Sequence, residues 1–232
     1  LTGILVYASR ADGAGDLEAT GNVLREGMLL ALLLALASAV PYFLFADALL
    51  GGIGVAPTLV PEAATVIRIM ALAMPAQLLI IAARNFLEGI SRPRRVALVN
   101  LAMLPLNALL AWAWSGGHLG LPRLGASGAA LATLCCLWLG AIAMLGSALL
   151  LPDARLRGLR SWGLRKLAAA FGGVKRLAMF GLVPSLASGL EIAGFSWLIA
   201  LSTQLGEAPA HAFQIIFSLH NISFGVAMGF AS

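Results

Sequence analysis

Long stretches that are almost free of charged residues recur along this chain of 232 residues. A bilayer-spanning helix needs about 20 apolar residues at a rise of about 1.5 Å per residue. Six stretches reach that length, and Leu1–Ser9 reads as the end of one more: Gly27–Ala46, Ala63–Ala83, Val96–Ser115, Leu124–Pro152, Leu177–Gly206 and Ala208–Ser232. They are rich in Leu and Ala and lack the period-two alternation of barrel strands. The sequence therefore predicts an all-α, polytopic membrane protein.

The composition excludes the common soluble classes. Hydrophobic residues make up 60% of the chain and charged residues 11%, whereas a soluble domain has roughly 45–50% and about 25%. The net charge of +5 does not indicate nucleic-acid binding, because the basic residues lie between the apolar runs instead of forming one stripe. Cys135 and Cys136 are adjacent in an apolar run, so they predict neither a disulfide framework nor a metal site. The bilayer is the expected partner, and no cofactor is expected.

The basic residues divide unequally between the two sides of the predicted bundle. Three connections, Arg10–Glu26, Arg84–Arg95 and Asp153–Arg176, carry 13 of the 15 lysines and arginines. The opposite loops carry only Arg123. By the positive-inside rule, the first set of connections faces the cytoplasm. We therefore expect a multi-pass protein of the cell's inner (plasma) membrane.

The connection Asp153–Arg176 is the longest polar segment, and it mixes basic residues with leucines and Trp162. This pattern predicts an amphipathic helix on the inner leaflet that joins two helix bundles. The expected organisation is an N-terminal bundle over residues 1–152, a linker over 153–176 and the start of a second bundle over 177–232. Because the chain begins with Leu1 inside an apolar run, we also expect it to be a fragment.

Glu191 is the candidate functional residue with the clearest chemical argument. Fourteen uncharged residues precede it from Leu177 and fifteen follow it to Gly206, which predicts a position near mid-bilayer. A charge there costs at least about 2.5–3.5 kcal/mol on insertion scales, so it normally faces a cavity and serves a function. Ser188 lies one helical turn away as a polar neighbour. The alternative is a buried carboxyl that Ser188 or a neighbouring helix satisfies.

Two amides are further candidates. Asn107 lies inside the predicted span Val96–Ser115, where its side chain could coordinate a cation or simply join two helices by a hydrogen bond. Gln214 lies near the outer end of the last predicted span and could line a cavity. His220, in the same span, is expected to be a hydrogen-bonded interior residue.

Several segments together resemble the multidrug and toxic compound extrusion (MATE) transporters, in the order in which that family has them. Arg10–Asp16 resembles the first cytoplasmic loop and Arg84–Gly89 with Arg92–Arg94 the next one. The remaining segments resemble parts of helices five to eight: Leu104–Asn107, Leu124–Thr133, Gly181–Pro184 with Glu191, Leu205–Gly206 and Phe213–Ile215. The resemblance covers nearly the whole chain, from the latter part of helix two through helix eight.

The resemblance implies a fold of two six-helix bundles around a central cleft, of which this chain is a truncated part. It also implies export of cationic or amphipathic small molecules in exchange for Na⁺ or H⁺ by alternating access. Glu191 matches the acidic residue of helix seven in the NorM-like branch, which serves cation coupling and substrate binding. Asn107 and Thr133 match polar positions of the cation network in the first bundle. The helices outside this chain are then expected partners.

Two other functions remain open at this point. A flippase for lipid-linked saccharides would favour several cationic residues at mid-depth, and a membrane-embedded enzyme would need paired catalytic groups such as Glu191 and His220. No nucleotide-binding loop of the GxxxxGK(S/T) type occurs in the sequence. The sequence therefore predicts transport driven by an ion gradient or by a partner, and no enzymatic activity.

Overall fold

The computed structural model describes residues 1–52, 55–160, 163–204, 215–219 and 223. Within these residues every regular element is a helix, and the chain builds seven in order. They are α1 (Thr2–Gly13), α2 (Leu17–Leu44), α3 (Ala46–Gly52), α4 (Val60–Gly89), α5 (Pro93–Gly116), α6 (Gly125–Leu149) and α7 (Leu164–Gln204).

Short turns with identifiable chemistry separate these helices. Gly15 between α1 and α2 has a φ of +74°, which a residue without a Cβ adopts at no steric cost. Asp16 then caps α2, because its carboxylate accepts a hydrogen bond of 3.0 Å from the Ala19 backbone N–H. Gly117, also at +74°, ends α5, and its N–H donates to the Ala113 carbonyl.

Among the described residues, five helices are long and apolar enough to cross a membrane: Leu17–Leu44, Val60–Gly89, Pro93–Gly116, Gly125–Leu149 and the segment Ala170–Ile199 of α7. They correspond to five of the six predicted spans and confirm a multi-pass membrane protein. The sixth, Ala208–Ser232, lies almost wholly outside the described residues. Four prolines lie in the interior of the described helices, at Pro41, Pro75, Pro105 and Pro184.

Helix α4 is the central element, in contact with α1, α2, α3, α5 and α6. Its contact faces are built largely from alanines, and Ala64, Ala76, Ala82 and Ala83 are fully buried. Small side chains let membrane helices approach closely, and packing replaces the hydrophobic drive that water would supply. The larger buried side chains gather towards one end of the bundle: Ile4, Leu24, Phe86, Leu87, Met144 and Leu159.

The linker differs from its prediction. Residues 152–160 form turns, and 164–176 are the first part of α7, so no separate amphipathic helix spans 153–176. The turns are held by hydrogen bonds within the segment and by Arg25, which donates to the Gly158 carbonyl over 2.7 Å, and Gly158 itself has a φ of +63°. Residues 164–176 are helical because no proline interrupts α7 before Pro184.

The chain divides into two compact units, Leu1–Gly181 and Leu182–Ser232. The boundary falls inside α7, a few residues beyond position 177, where the sequence predicts that the second bundle starts. The first unit contains α1 to α6 and the beginning of α7. The second contains the rest of α7 and the described residues that follow it.

Candidate functional site

Asn107 lies on α5 with its side chain partly buried. Its Oδ1 atom is out of contact with solvent and accepts no hydrogen bond from the described residues. An amide oxygen buried in this way keeps a desolvation cost of about 1–3 kcal/mol unless something binds it. Asn107 therefore offers a free ligand atom inside the first unit.

The register of α5 and α6 places Thr133 at about the level of Asn107. The two helices are consecutive and antiparallel, with the Leu124 N–H donating to the Trp114 carbonyl over 3.0 Å at one end. Further along, the Cys136 thiol donates to the Met103 carbonyl over 3.4 Å. Asn107 follows Met103 by one turn and Thr133 precedes Cys136 by almost one turn, so the two residues occupy the same layer.

The Thr133 hydroxyl donates to the carbonyl of Ala129, one turn earlier in α6, over 3.1 Å. This bond uses its proton and leaves the oxygen lone pairs as acceptors. The layer therefore presents oxygen atoms from a hydroxyl and an amide, the kind of ligand that hard cations prefer. The sequence identified Thr133 only through the family resemblance, and its role in a cation site stays a prediction.

Glu191 and Ser188 lie on α7 in the second unit, three residues apart on one face. Glu191 falls within the membrane-spanning segment Ala170–Ile199. Both side chains are exposed, and the carboxylate forms no salt bridge with any described residue. One turn later, Phe195 contacts Phe217, with ring centroids 4.9 Å apart. Asn107 and Thr133 belong to the first unit, and Gln214 and His220 lie outside the described residues.

A polar cluster that the sequence analysis missed is centred on Arg157. The guanidinium, only 5% exposed, forms ion pairs with Asp12 at 2.7 Å and with Asp153 at 2.6 Å, and donates to the Thr20 hydroxyl at 3.0 Å. We call these four residues the Arg157 cluster. It fastens the loop after α6 to α1 and α2. The spacing of Asp153 and Arg157, four residues apart, was the one local signal that could have indicated it.

The charges in the Arg157 cluster control the ionisation of Asp153. Burial raises the pKa of this carboxyl, but the hydrogen bond from Arg157, a backbone hydrogen bond and the positive charges of Arg157 and Arg92 outweigh burial. The pKa of Asp153 therefore lies below its ordinary value, and the group is a carboxylate at neutral pH. The Arg157 cluster is a structural ion-pair element in which Asp153 Oδ1 is buried and accepts no hydrogen bond from the described residues.

The start of α7 is held to the same end of the bundle. Arg176 donates to the Glu26 carboxylate over 3.0 Å, and its guanidinium lies 4.6 Å above the centre of the Tyr7 ring. Gly173 faces Glu26 so closely that a Cβ there would overlap the carboxylate. Together with the hydrogen bond from Arg25 to Gly158, these contacts hold one end of the first unit. We call this end, which carries Arg25, Arg157 and Arg176, the arginine-rich end.

Comparisons with known proteins identify relatives of this chain. The family model described as MatE matches residues 1–113. The curated protein "Probable multidrug resistance protein NorM" of Rhizobium meliloti is 30% identical over 98% of this chain and 48% of its own length. The protein of the same name from Caulobacter vibrioides is 28% identical over 100% of the chain and 48% of its length. The chain thus spans about half the length of the curated relatives it matches.

A solved structure shares the fold. The crystal structure of the eukaryotic MATE transporter AtDTX14 superposes with a TM-score of 0.76 and covers 94% of this chain and 47% of that one. Sequence identity between the two is 20%, so this likeness concerns the arrangement of the helices.

Proposed function

Since this chain belongs to the MATE family, we propose that it forms part of an ion-coupled antiporter that exports cationic or amphipathic small molecules. Its relatives bear the name multidrug resistance protein, and in a bacterium such a protein resides in the inner membrane. The chain spans about half the length of these relatives, and in the proposed cycle two bundles alternate about a central site.

Glu191 is the observation that carries this proposal. It is an ionisable group within the spanning segment of α7, where an uncompensated charge is costly and where such residues mark ion or substrate pathways. A carboxylate attracts a cationic drug and equally attracts Na⁺ or H⁺. One group that holds either the ion or the drug couples their movements, because binding of one excludes the other.

The layer of Asn107 and Thr133 supports a cation site in the first unit. Its oxygens are uncharged, and the Asn107 oxygen has no hydrogen-bond donor among the described residues. Such a layer would favour a small hard cation and offers no charge to retain a large organic one. We propose that this layer contributes to ion coupling, whereas Glu191 contributes both to coupling and to drug binding.

Replacing Glu191 by Gln tests the proposal, because Gln keeps the size and hydrogen-bonding capacity and removes the ionisable proton. The measurement is uptake of a fluorescent cationic dye into inverted vesicles that contain the full-length protein, under an imposed Na⁺ or H⁺ gradient. We expect Glu191→Gln to insert normally and to lose gradient-driven uptake, while Glu191→Asp retains part of it.

Glu62→Gln is the matched control, since Glu62 is an exposed carboxylate in the first turn of α4, away from mid-span. This variant should transport like the wild type. Wild-type uptake by Glu191→Gln under both gradients, at equal protein amount, would show that Glu191 is only a packing residue.

A further inference from the structure

A basic pocket lies at the turn between α4 and α5. Its volume is about 400 Å³, and it is lined by Ser91, Arg92, Pro93, Arg94 and Arg95. Three of the five lining residues carry a positive charge and none carries a negative one. Glu88 lies 3.9 Å from Arg84, and Asp153, on which the charge of Arg92 also acts, forms its ion pair with Arg157.

The arginines of this pocket are only partly satisfied. The Arg95 guanidinium donates through Nη1 to the Ser147 carbonyl of α6 over 2.7 Å, which fixes its position between the two helices. The exposed side chains of Arg92 and Arg94 form no hydrogen bond and no salt bridge with the residues that the structure describes. The pocket therefore has an excess of guanidinium donors directed at no protein acceptor.

The position of the pocket relative to the membrane limits what can fill it. Pro93 is the first residue of the spanning helix α5, so the arginines lie at the level where the hydrocarbon region meets the headgroups. Directly along the same helix, Leu98, Leu101 and Leu104 are 68%, 67% and 69% exposed. Only two residues of α5, Val96 and Ala113, are buried, so most of this helix presents apolar surface outward.

We propose that this pocket binds the phosphate of an anionic phospholipid whose acyl chains lie along the leucine stripe of α5. Planar guanidinium groups match phosphate oxygens in pairs, and several arginines next to a membrane helix attract anionic headgroups. A free phosphate ion would use the arginines but would gain nothing from the stripe. The lipid uses both, and the bilayer holds it at that depth. This site does not depend on the proposed transport function, but it requires that the leucine stripe faces lipid in the full-length protein.

The test is a titration of the purified full-length protein with phosphatidylglycerol and, separately, with zwitterionic phosphatidylcholine, with bound lipids counted by native mass spectrometry. Each surface arginine contributes about fivefold to the affinity for an anionic lipid, so the double variant Arg92→Gln with Arg94→Gln should bind phosphatidylglycerol about thirtyfold more weakly. Binding of phosphatidylcholine should stay within about twofold. The variant Arg92→Lys with Arg94→Lys keeps the charge and should lose far less.

The matched control is Arg10→Gln with Arg155→Gln, which removes two exposed arginines from the same predicted side of the membrane but outside the pocket. It should change phosphatidylglycerol binding by less than about threefold. If this control weakened phosphatidylglycerol binding as much as the pocket variant does, the binding would come from diffuse surface charge and not from a defined site. Inorganic phosphate at millimolar concentration should not displace the lipid, and full displacement would assign the pocket to a soluble anion instead.

Discussion

Substituting Arg157 by Gln removes the cation at the centre of the Arg157 cluster while keeping a side chain that can still donate a hydrogen bond. Two carboxylates, Asp12 and Asp153, then face each other without the guanidinium between them, and the Thr20 hydroxyl loses its donor. We expect the loop after α6 to detach from α1 and α2 because repulsion replaces attraction at this contact. The described fold should survive, since the apolar core beside the cluster remains intact.

The expected loss in the free energy of unfolding follows from how deeply the ion pairs of the Arg157 cluster are buried. Removing one partner of a fully buried ion pair typically costs about 3–5 kcal/mol. Arg157 is 5% exposed, but the Asp12 and Asp153 side chains are 26% and 23% exposed, so water partly stabilises the remaining charges. We therefore expect a loss of about 2–3 kcal/mol, below the fully buried range. For a chain of this size that corresponds to a decrease in Tm of about 4–12 °C.

Buried Cys136 provides the assay in a Cys135→Ser background, which removes the partly exposed neighbouring thiol, because a thiol-reactive dye then reacts only when α5 and α6 separate. Heating the detergent-solubilised protein at one fixed scan rate then gives comparable Tm values even where unfolding is irreversible. Arg155→Gln, two residues away and exposed, controls for charge loss and should lower Tm by less than about 1 °C. If Arg157→Gln and Arg155→Gln have the same Tm, the Arg157 cluster contributes nothing measurable to stability and the reasoning is wrong.

The cluster also predicts the direction of acid sensitivity. The pKa of Asp153 is lowered in the folded state, so its contribution to stability is present above its ordinary pKa of about 3.9 and is lost as the pH falls through the folded value. Without Arg157, Asp153 loses the side-chain hydrogen bond and one of the positive charges that lower its pKa, so this pKa rises. Acid should then remove less stability from Arg157→Gln than from the wild type, and the difference in Tm between the two should shrink as the pH falls from about 7 to about 3. Melting curves over that range check this, and a difference that stays constant or widens would contradict it.

Two further predictions concern packing and topology. Gly21→Ala should destabilise the protein by about 1–3 kcal/mol, because the added Cβ overlaps the Arg157 carbonyl, whereas Gly146→Ala, which meets no atom, should be neutral or stabilising by about 0.5–1 kcal/mol in the same melting assay. A single cysteine in place of Arg123 should react with an impermeant maleimide added to intact cells, and one in place of exposed Arg155 should not. The reverse labelling pattern would invert the predicted orientation.

Hydropathy predicted the five membrane-spanning helices among the described residues but not where several of them begin or end. Helix α2 starts at Leu17, ten residues before the predicted span at Gly27, because Asp16 caps it and its polar first turns bond to the loop after α6. Helix α7 likewise starts thirteen residues before Leu177. An apolar window detects contact with lipid, whereas a helix end depends on caps and on partners that lie far away in sequence.

The candidate functional residues also differ in whether the sequence alone identifies them. Glu191 stands out in sequence because a charge in an apolar run is costly wherever the chain folds. Asn107 and Thr133 require the antiparallel register of α5 and α6 before they form one layer. The long-range contacts of the Arg157 cluster were not predictable, since Thr20 and Arg157 lie 137 residues apart and no spacing rule links them.

The Arg157 cluster and the apolar core of the first unit occupy the same end of the bundle, and each strengthens the other. Leu159, two residues after Arg157, is buried in the same apolar cluster as Ile4 and Phe86, so the loop that carries the ion pairs is anchored in the core. In return, the ion pairs hold the loop over the core, so opening this end would expose apolar surface and separate charges at once. At the far end of α2, by contrast, Phe43 and Leu44 are exposed. Within the first unit, opening therefore costs more at the arginine-rich end than at the opposite end, where fewer buried contacts must be broken.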